Sequence, residues 1–129
     1  MIKLILVFIL ILSPFSKESE FEKTCVEEVN ALRKMERTKP LSIDPKLSAQ
    51  CQRYARKLAR TGKFEHDPRL RNNVGENIAM SSDPSIDPIE IWKHSTGHRQ
   101  NILSRDYETV GIAKASNNAN ETYYVMRLK

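Results

Sequence analysis

Apolar residues recur at helical spacing in the first half of the chain and at strand spacing near its end. One apolar stripe runs at spacings of four, four, three and three through Phe21, Cys25, Val29, Leu32 and Met35. This spacing predicts a helix over residues 17–39. Ser19 and Glu22 match a capping box at its start, and Pro40 should end it, because the residue before a proline avoids the α region.

A second helix is indicated by the residues that would begin and end it. Asp44 can cap its first turn, and Pro45 suits the first helical position, where its missing N–H costs nothing. Gly62 suits the position just after the last turn. The apolar stripe of this helix consists of Leu47, Cys51, Tyr54, Ala55 and Leu58.

The rest of the chain predicts short helices and strands. The segment "VGENIAM" in a region rich in glycine and proline predicts a buried strand, and short helices should follow over residues 89–94 and about 98–103. The runs "TVGIAKA" and "TYYVMRL", joined by the turn-forming "SNNANE", predict a β-hairpin. Helices followed by paired strands predict an α+β fold, an antiparallel sheet with helices packed against it.

The first 16 residues have a different character. One early cation, Lys3, precedes the unbroken apolar run from Leu4 to Leu12, and serine and proline follow. Such a run is too short to cross ~30 Å of hydrocarbon as a helix. It predicts a secretory signal peptide, residues 1–16, followed by one domain over residues 17–129 and an extracellular location. The alternatives are a buried N-terminal helix and an uncleaved anchor.

The charge and the cysteine content limit the classes of partner. The chain carries 21 Lys and Arg against 16 Asp and Glu, a formal charge of +5 at pH 7, which allows contact with a membrane surface or an acidic glycan. The basic residues are spread out with no aromatic residues placed to stack bases, so we expect no nucleic acid partner. Cys25 and Cys51 can form a disulfide in an oxidising compartment; the alternative is two buried free thiols.

Three polar residues are candidates for a functional site. His66 follows the second predicted helix, and histidine is the commonest protein metal ligand. Glu76 begins a predicted buried strand, where a charge needs a partner. His98 stands at the start of a short helix. Each has a structural alternative: a surface loop histidine, a carboxylate that holds backbone N–H groups or an arginine, and a residue that fills a first turn.

Two further patterns carry competing interpretations. His94 and His98 have the i, i+4 spacing of a helical zinc pair, but Gly97 between them argues against one helix through both. Asn120 begins the sequon Asn-Glu-Thr in the predicted hairpin turn, where an N-glycan would be exposed. Asparagine is also favoured in turns for its own local hydrogen bonding.

Five blocks of the sequence carry a further signal: "LSIDPKLSAQCQRYARKLARTGKFEH", "VGENIA", "IWKHSTGHRQNIL", "VGIAKA" and "YYVMRLK". In their order and spacing these blocks resemble the CAP superfamily in its compact form. Its members are the cysteine-rich secretory, antigen 5 and pathogenesis-related 1 proteins, which share the SCP domain. The resemblance runs from about Val29 to Lys129. It implies an α-β-α sandwich with a cleft where two histidines and acidic residues meet.

Matched by motif, His66, Glu76 and His98 correspond to cleft residues of that family. The resemblance implies that the histidine pair holds Zn²⁺ or another divalent cation, and that water or Glu76 completes the coordination. Asn77 of the same G-E-N block would support the cleft.

The sequence departs from the family pattern at two positions. Many members begin the domain with His-Asn-x-x-Arg, and here Val29 replaces the histidine while Asn30 and Arg33 remain as cleft support. Longer animal members have a second cleft glutamate three residues after the tryptophan, and here Ser95 follows Trp92 at that spacing. The expected cleft is therefore reduced to His66, Glu76 and His98.

The resemblance implies three candidate functions. The first is a non-catalytic extracellular module that binds a lipid, a sterol or a protein partner and can hold a metal in its reduced cleft. The loss of a second carboxylate favours it, since acid–base catalysis normally uses two groups of different pKa. The alternative is a metal-assisted hydrolase or peptidase with Glu76 as the catalytic base. The third is an interaction domain with a vestigial cleft.

Overall fold

The computed structural model of the chain describes residues 14–129, with side chains from Glu20 onward. Its elements are α1 (Pro14–Met35), β1 (Ser42–Ile43), α2 (Pro45–Thr61), β2 (Gly75–Ser81), α3 (Pro88–Lys93), α4 (Thr96–Leu103), β3 (Thr109–Ser116) and β4 (Thr122–Leu128). None of the described helices combines the length and apolarity needed to cross a bilayer. The predicted signal peptide falls mostly outside the described residues and stays a prediction.

The four strands form one sheet in the order β1-β3-β4-β2. The hairpin strands β3 and β4 are antiparallel, and β2 joins β4 antiparallel with Asn77 opposite Met126. The predicted antiparallel sheet is confirmed for these three long strands. The two-residue β1 adds a parallel pairing, Ser42 with Thr109, so the sheet is mixed. A strand this short has no alternating pattern from which it could be predicted.

Side chains alternate between the two faces of the sheet and so divide the core in two. One face contributes Val110, Ile112, Tyr124 and Met126 to a cluster with α1, α3 and α4. The other contributes Ile78, Ala113, Tyr123 and Val125 to a cluster with α2. Because helices cover both faces, the α-β-α sandwich implied by the resemblance is confirmed.

The division of the core separates the two cysteines. Cys25 belongs to the cluster on the α1 face and Cys51 to the cluster on the α2 face, and both thiols are free. The predicted disulfide is not formed, because the sheet lies between the two helices that carry these residues. Cys51 instead donates a hydrogen bond to the Gly111 carbonyl at 3.2 Å. Burial raises the pKa of each thiol to about 12.

The local signals for α2 are confirmed in detail. The Asp44 carboxylate accepts a hydrogen bond from the Lys46 N–H at 2.9 Å, and Gly62 ends the helix in the left-handed region at φ 68°. Close approach of α2 to the sheet depends on Gly111. A Cβ at that position would lie 2.4 Å from the backbone nitrogen of Ser48, so only glycine lets α2 pack this tightly on β3.

The structure of α1 differs from the prediction at both ends. The helix begins at Pro14, so residue 19 lies inside it and the predicted capping box is wrong. The Glu22 carboxylate instead accepts hydrogen bonds from the Ile112 N–H of β3 at 2.9 Å and from the Ser48 hydroxyl of α2 at 2.6 Å. The helix ends at Met35, ahead of Pro40, because Arg37 adopts the left-handed region at φ 55°.

Candidate functional site

Glu76 lies at the centre of a buried polar network. It stands opposite Arg127 in the β2–β4 ladder, and its side chain is only 1% exposed. Its Oε2 accepts a hydrogen bond from Arg127 Nε at 3.1 Å. Its Oε1 accepts from the Asp67 N–H at 3.1 Å and lies 2.9 Å from His66 Nδ1. Both carboxylate oxygens are therefore engaged.

Arg127 neutralises two carboxylates at once. Its Nη2 lies 3.0 Å from Glu76 Oε2 and 2.8 Å from Asp67 Oδ2. Burial alone would raise the pKa of Asp67, but a hydrogen bond from the Arg69 N–H and the charge of Arg127 together lower it. Removing one partner of a buried ion pair leaves an uncompensated charge, so the network ties Glu76 to a structural role.

His66 is held by Glu76 from one side and faces solvent on the other. When the Glu76 carboxylate accepts the Nδ1–H of His66, the ring keeps a lone pair on Nε2. The His66 side chain is 60% exposed, so that nitrogen can accept a ligand. A histidine that binds a metal through one ring nitrogen usually donates the N–H of its other ring nitrogen to a carboxylate or a carbonyl, as His66 can do to Glu76.

His98 lies in the first turn of α4 with an unused buried nitrogen. Its Nδ1 has no hydrogen-bond partner among the described residues. Burial lowers the pKa of His98, and the nearby charge of His66 lowers it further. A lowered pKa favours the neutral form of the ring, which is the form that can bind a metal. A buried polar atom without a partner in a native fold requires an explanation such as a water or an ion.

Asparagines of β2 and α4 fix the position of His98. Asn77 Nδ2 donates to the His98 carbonyl at 3.1 Å, and Asn101 Nδ2 donates to Asn77 Oδ1 at 2.9 Å. Asn77 therefore forms a hydrogen-bonded link between β2 and α4, and its support of a cleft stays a prediction. We call His66, Glu76 and His98 the histidine cluster.

The histidine cluster can hold at most an open metal site. Within residues 14–129, no group of three or more His, Cys, Asp or Glu side chains has a metal-binding arrangement. The unpartnered Nδ1 of His98 and the His66 ring oriented by Glu76 are nevertheless the kind of donors that a site with two imidazoles uses. Such a site would leave the remaining positions of a tetrahedral ion to water or to a partner.

The other predicted support residues hold the scaffold. Arg33 is buried and donates to the carbonyls of Lys39 at 2.7 Å and Ile102 at 2.8 Å, which joins the end of α1 to α4. Asn30 exchanges two hydrogen bonds with the backbone of Leu41. Their side chains act on the helix and loop framework and not on the imidazoles.

The remaining polar candidates, His94 and Asn120, are exposed. His94 ends α3, is 76% exposed, and has its Nε2 3.7 Å from Glu90 Oε2. His94 follows the last residue of α3 and His98 lies in α4, which begins at Thr96, so one helix does not run through both histidines of the i, i+4 pattern, as Gly97 suggested. Asn120 occupies an exposed turn at φ 58°, and its glycosylation stays a prediction.

Sequence reasoning missed Arg127, Asp67 and Asn101 as members of the site. Arg127 had a usable signal, since it is the only charge inside the apolar run "TYYVMRL" and a charge in a buried strand needs a partner. Asp67 had none beyond its place next to His66, because its pairing with Arg127 spans 60 positions.

The chain matches a known protein family. The family model described as the cysteine-rich secretory protein family, CAP, matches residues 26–128. YkwD of Bacillus subtilis (strain 168) is 29% identical over 111 residues, which are 75% of this chain and 43% of YkwD. The chain thus spans less than half the length of that relative.

Solved structures share the fold at lower identity. An outer surface protein from Borrelia burgdorferi superimposes with a TM-score of 0.73 at 21% identity, over 84% of this chain and 91% of that one. The structure of NaASP2 with Zn²⁺ superimposes with a TM-score of 0.68 at 18% identity, over 82% and 77% of the chains. With the family model covering nearly all of the described domain, the chain belongs to the cysteine-rich secretory protein (CAP) family.

Proposed function

We propose that this chain is an extracellular, non-catalytic binding domain whose His66 and His98 bind a divalent cation. The secretory family and the outer-surface relative support the location. The observation that carries the non-catalytic proposal is the state of Glu76. Both of its oxygens accept hydrogen bonds within the buried network, so it could act as a base only by breaking contacts that hold the fold.

The metal proposal rests on the two imidazoles. The exposed His66 side chain contacts Glu76 through Nδ1, and His98 has a buried Nδ1 without a partner among the described residues. A bound cation would supply an exchangeable coordination position for an oxygen ligand of a partner. One structural neighbour was solved with Zn²⁺, which makes zinc the first ion to test.

A polar partner fits the surface better than a lipid or a sterol. Apolar ligands need cavities lined mainly by hydrophobic side chains. The exposed His66 ring and the neighbouring Asp67 carboxylate offer polar contacts, and two cavities along α2, which contain neither histidine, are also lined largely by charged and polar residues. We therefore infer that the partner is a protein or another polar molecule.

Zinc titration of the purified domain by calorimetry tests the metal proposal. His66→Ala and His98→Ala should each weaken Zn²⁺ binding at least tenfold, because two ligands cannot be replaced by one. His94→Ala is the matched control and should leave the affinity unchanged, since that ring pairs only with Glu90. Unchanged zinc affinity in the His66→Ala, His98→Ala double variant would remove both residues as ligands.

The metal-assisted hydrolase remains the alternative and has its own test. An ion held by two imidazoles would keep open positions for a water molecule that it could activate. Incubation with a mixed peptide library and Zn²⁺, read by mass spectrometry, should show no turnover by the wild type. Zinc-dependent cleavage that is lost in both His66→Ala and Glu76→Gln would contradict the non-catalytic proposal.

A further inference from the structure

A cationic groove runs along α2, on a different part of the surface from His98. Two adjoining cavities of about 390 Å³ and 250 Å³ lie between this helix and the loop over residues 67–74. They share Gln50, Arg53, Arg69 and Arg127 in their walls, so they form one continuous depression. We call it the α2 groove.

The α2 groove concentrates positive charge that the protein itself does not neutralise. Its exposed cations are Lys46, Arg53, Lys57, Arg69, Arg71 and Lys129. None of them forms an ion pair with a residue whose side chain the structure describes. The acidic residues of the wall already have partners, since Asp44 caps α2 and Asp67 pairs with Arg127.

The spacing of these cations indicates an extended ligand. Lys46, Gln50, Arg53 and Lys57 recur at intervals of four, three and four, so they share one face of α2. At 1.5 Å per residue this row is about 16 Å long. Arg69 and Arg71 add charge from the facing loop. A single small anion would use only a part of such a row, whereas a linear polyanion matches its length.

The chemistry of the groove selects among polyanions. Tyr54, the aromatic residue in its wall, is buried and has the Arg127 guanidinium over its ring at 5.2 Å. It is therefore not free to stack on a nucleic acid base, which single-stranded binders require. The exposed large hydrophobic side chains of the described surface lie outside the groove, which disfavours insertion into a membrane. Gln50, among the cations, can hydrogen-bond a sugar hydroxyl.

We propose that the α2 groove binds a linear polysaccharide that carries sulfate or carboxylate groups. The cations contact the anionic groups by charge, and the open shape admits a chain that continues past both ends. Binding to a polyelectrolyte of this kind releases condensed counterions, so the affinity should fall steeply with salt. Neither His66 nor His98 lies in the groove wall, so the proposal does not require that the histidines bind a metal.

Fluorescence anisotropy with a labelled heparin octasaccharide tests the proposal at several salt concentrations. The triple variant Arg53→Gln, Lys57→Gln, Arg69→Gln should bind about tenfold more weakly at 0.1 M salt. The slope of log affinity against log salt should also decrease by about two, at roughly 0.7 per lost contact. These side chains are exposed, and thermal unfolding should confirm that the variant is folded.

A control triple separates the groove from net charge alone. Arg56→Gln, Arg60→Gln, Lys63→Gln removes the same charge from exposed positions outside the groove walls, and its affinity should stay within twofold of the wild type. The His66→Ala, His98→Ala double variant should also bind the octasaccharide normally, even if zinc binding fails.

Other probes decide the ligand class. Equal losses in the two triples, or no octasaccharide binding at 50 mM salt, would overturn the proposal. Tighter binding to single-stranded DNA of equal charge would assign the groove to nucleic acid instead. Binding to phosphatidylserine vesicles without octasaccharide binding would assign it to a membrane surface. A neutral dextran oligosaccharide should not bind.

Discussion

Replacing Glu76 by glutamine isolates the charge that holds the buried network together. The substitution keeps the size of the side chain and an amide oxygen that can still accept a hydrogen bond. It removes the negative charge that lies 3.0 Å from Arg127 Nη2 in a site where the carboxylate is 1% exposed. Arg127 then retains only Asp67 as an anionic partner, at 2.8 Å.

The expected cost follows from the burial of the pair. Breaking a buried ion pair by removing one partner destabilises a protein by about 3–5 kcal/mol. Because Asp67 still neutralises Arg127, we expect the lower end, about 3 kcal/mol. For a domain of this size, each kcal/mol lowers the midpoint of thermal unfolding by about 4 °C. The midpoint should therefore fall by roughly 10 °C.

Urea unfolding measured by tryptophan fluorescence provides the assay. The chain has one tryptophan, Trp92, which is fully buried and donates through Nε1 to the Ile78 carbonyl at 3.0 Å. It therefore reports on the helix and strand beside Glu76. Glu65→Gln, at an exposed position in the adjoining loop, should change stability by less than about 0.5 kcal/mol. A loss below about 1 kcal/mol for Glu76→Gln would show that its charge does not hold the network.

The other predictions concern packing, pH and thiol reactivity. Gly111→Ala should cost about 3 kcal/mol in urea unfolding, because its Cβ would lie 2.4 Å from Ser48 N; Gly97→Ala, with nothing within 4 Å, should not destabilise. Burial and the Asp87 carboxylate raise the pKa of Glu28 from 4.5 to about 7. The folded state therefore favours the protonated form, and the stability that Glu28 adds over a Glu28→Gln variant should be present below pH 4.5 and disappear as the pH rises through 7. Calorimetry from about pH 4 to 8 measures that difference, and a difference that grows with pH has the wrong sign. Both cysteine thiols should resist Ellman's reagent in the native protein and react after unfolding; a disulfide would leave both unreactive in either state.

Local chemistry made most of the secondary structure predictable. The caps at Asp44 and Gly62, the strand of the G-E-N block and the hairpin are decided within a few residues of chain, where side chains and backbone compete directly. His66, Glu76 and His98 were candidates from their residue types and positions, and the motif resemblance implied that they share a site but not how they contact each other.

Long-range packing settled contacts that the pattern could not predict. Glu22 matched a local capping box, yet its carboxylate satisfies the Ile112 N–H, 90 positions away. The pairing of Glu76 with Arg127 depends on strand register, which sets residues 51 positions apart side by side.

Capping and turn residues, together with the spacing of apolar residues along the chain, were enough to specify the helices, the long strands and the alternation of side chains between the two faces of the sheet. Packing in three dimensions was needed to establish which helix covers which face of the sheet. That arrangement put Cys25 and Cys51 on opposite faces of the sheet. The register of β2 and β4 placed Glu76 opposite Arg127, with which it forms an ion pair. The spacing of side chains shows that a strand or a helix has two faces, but it does not identify the element that packs on each face. Those contacts form between segments that are far apart in the sequence, so no local interaction specifies them.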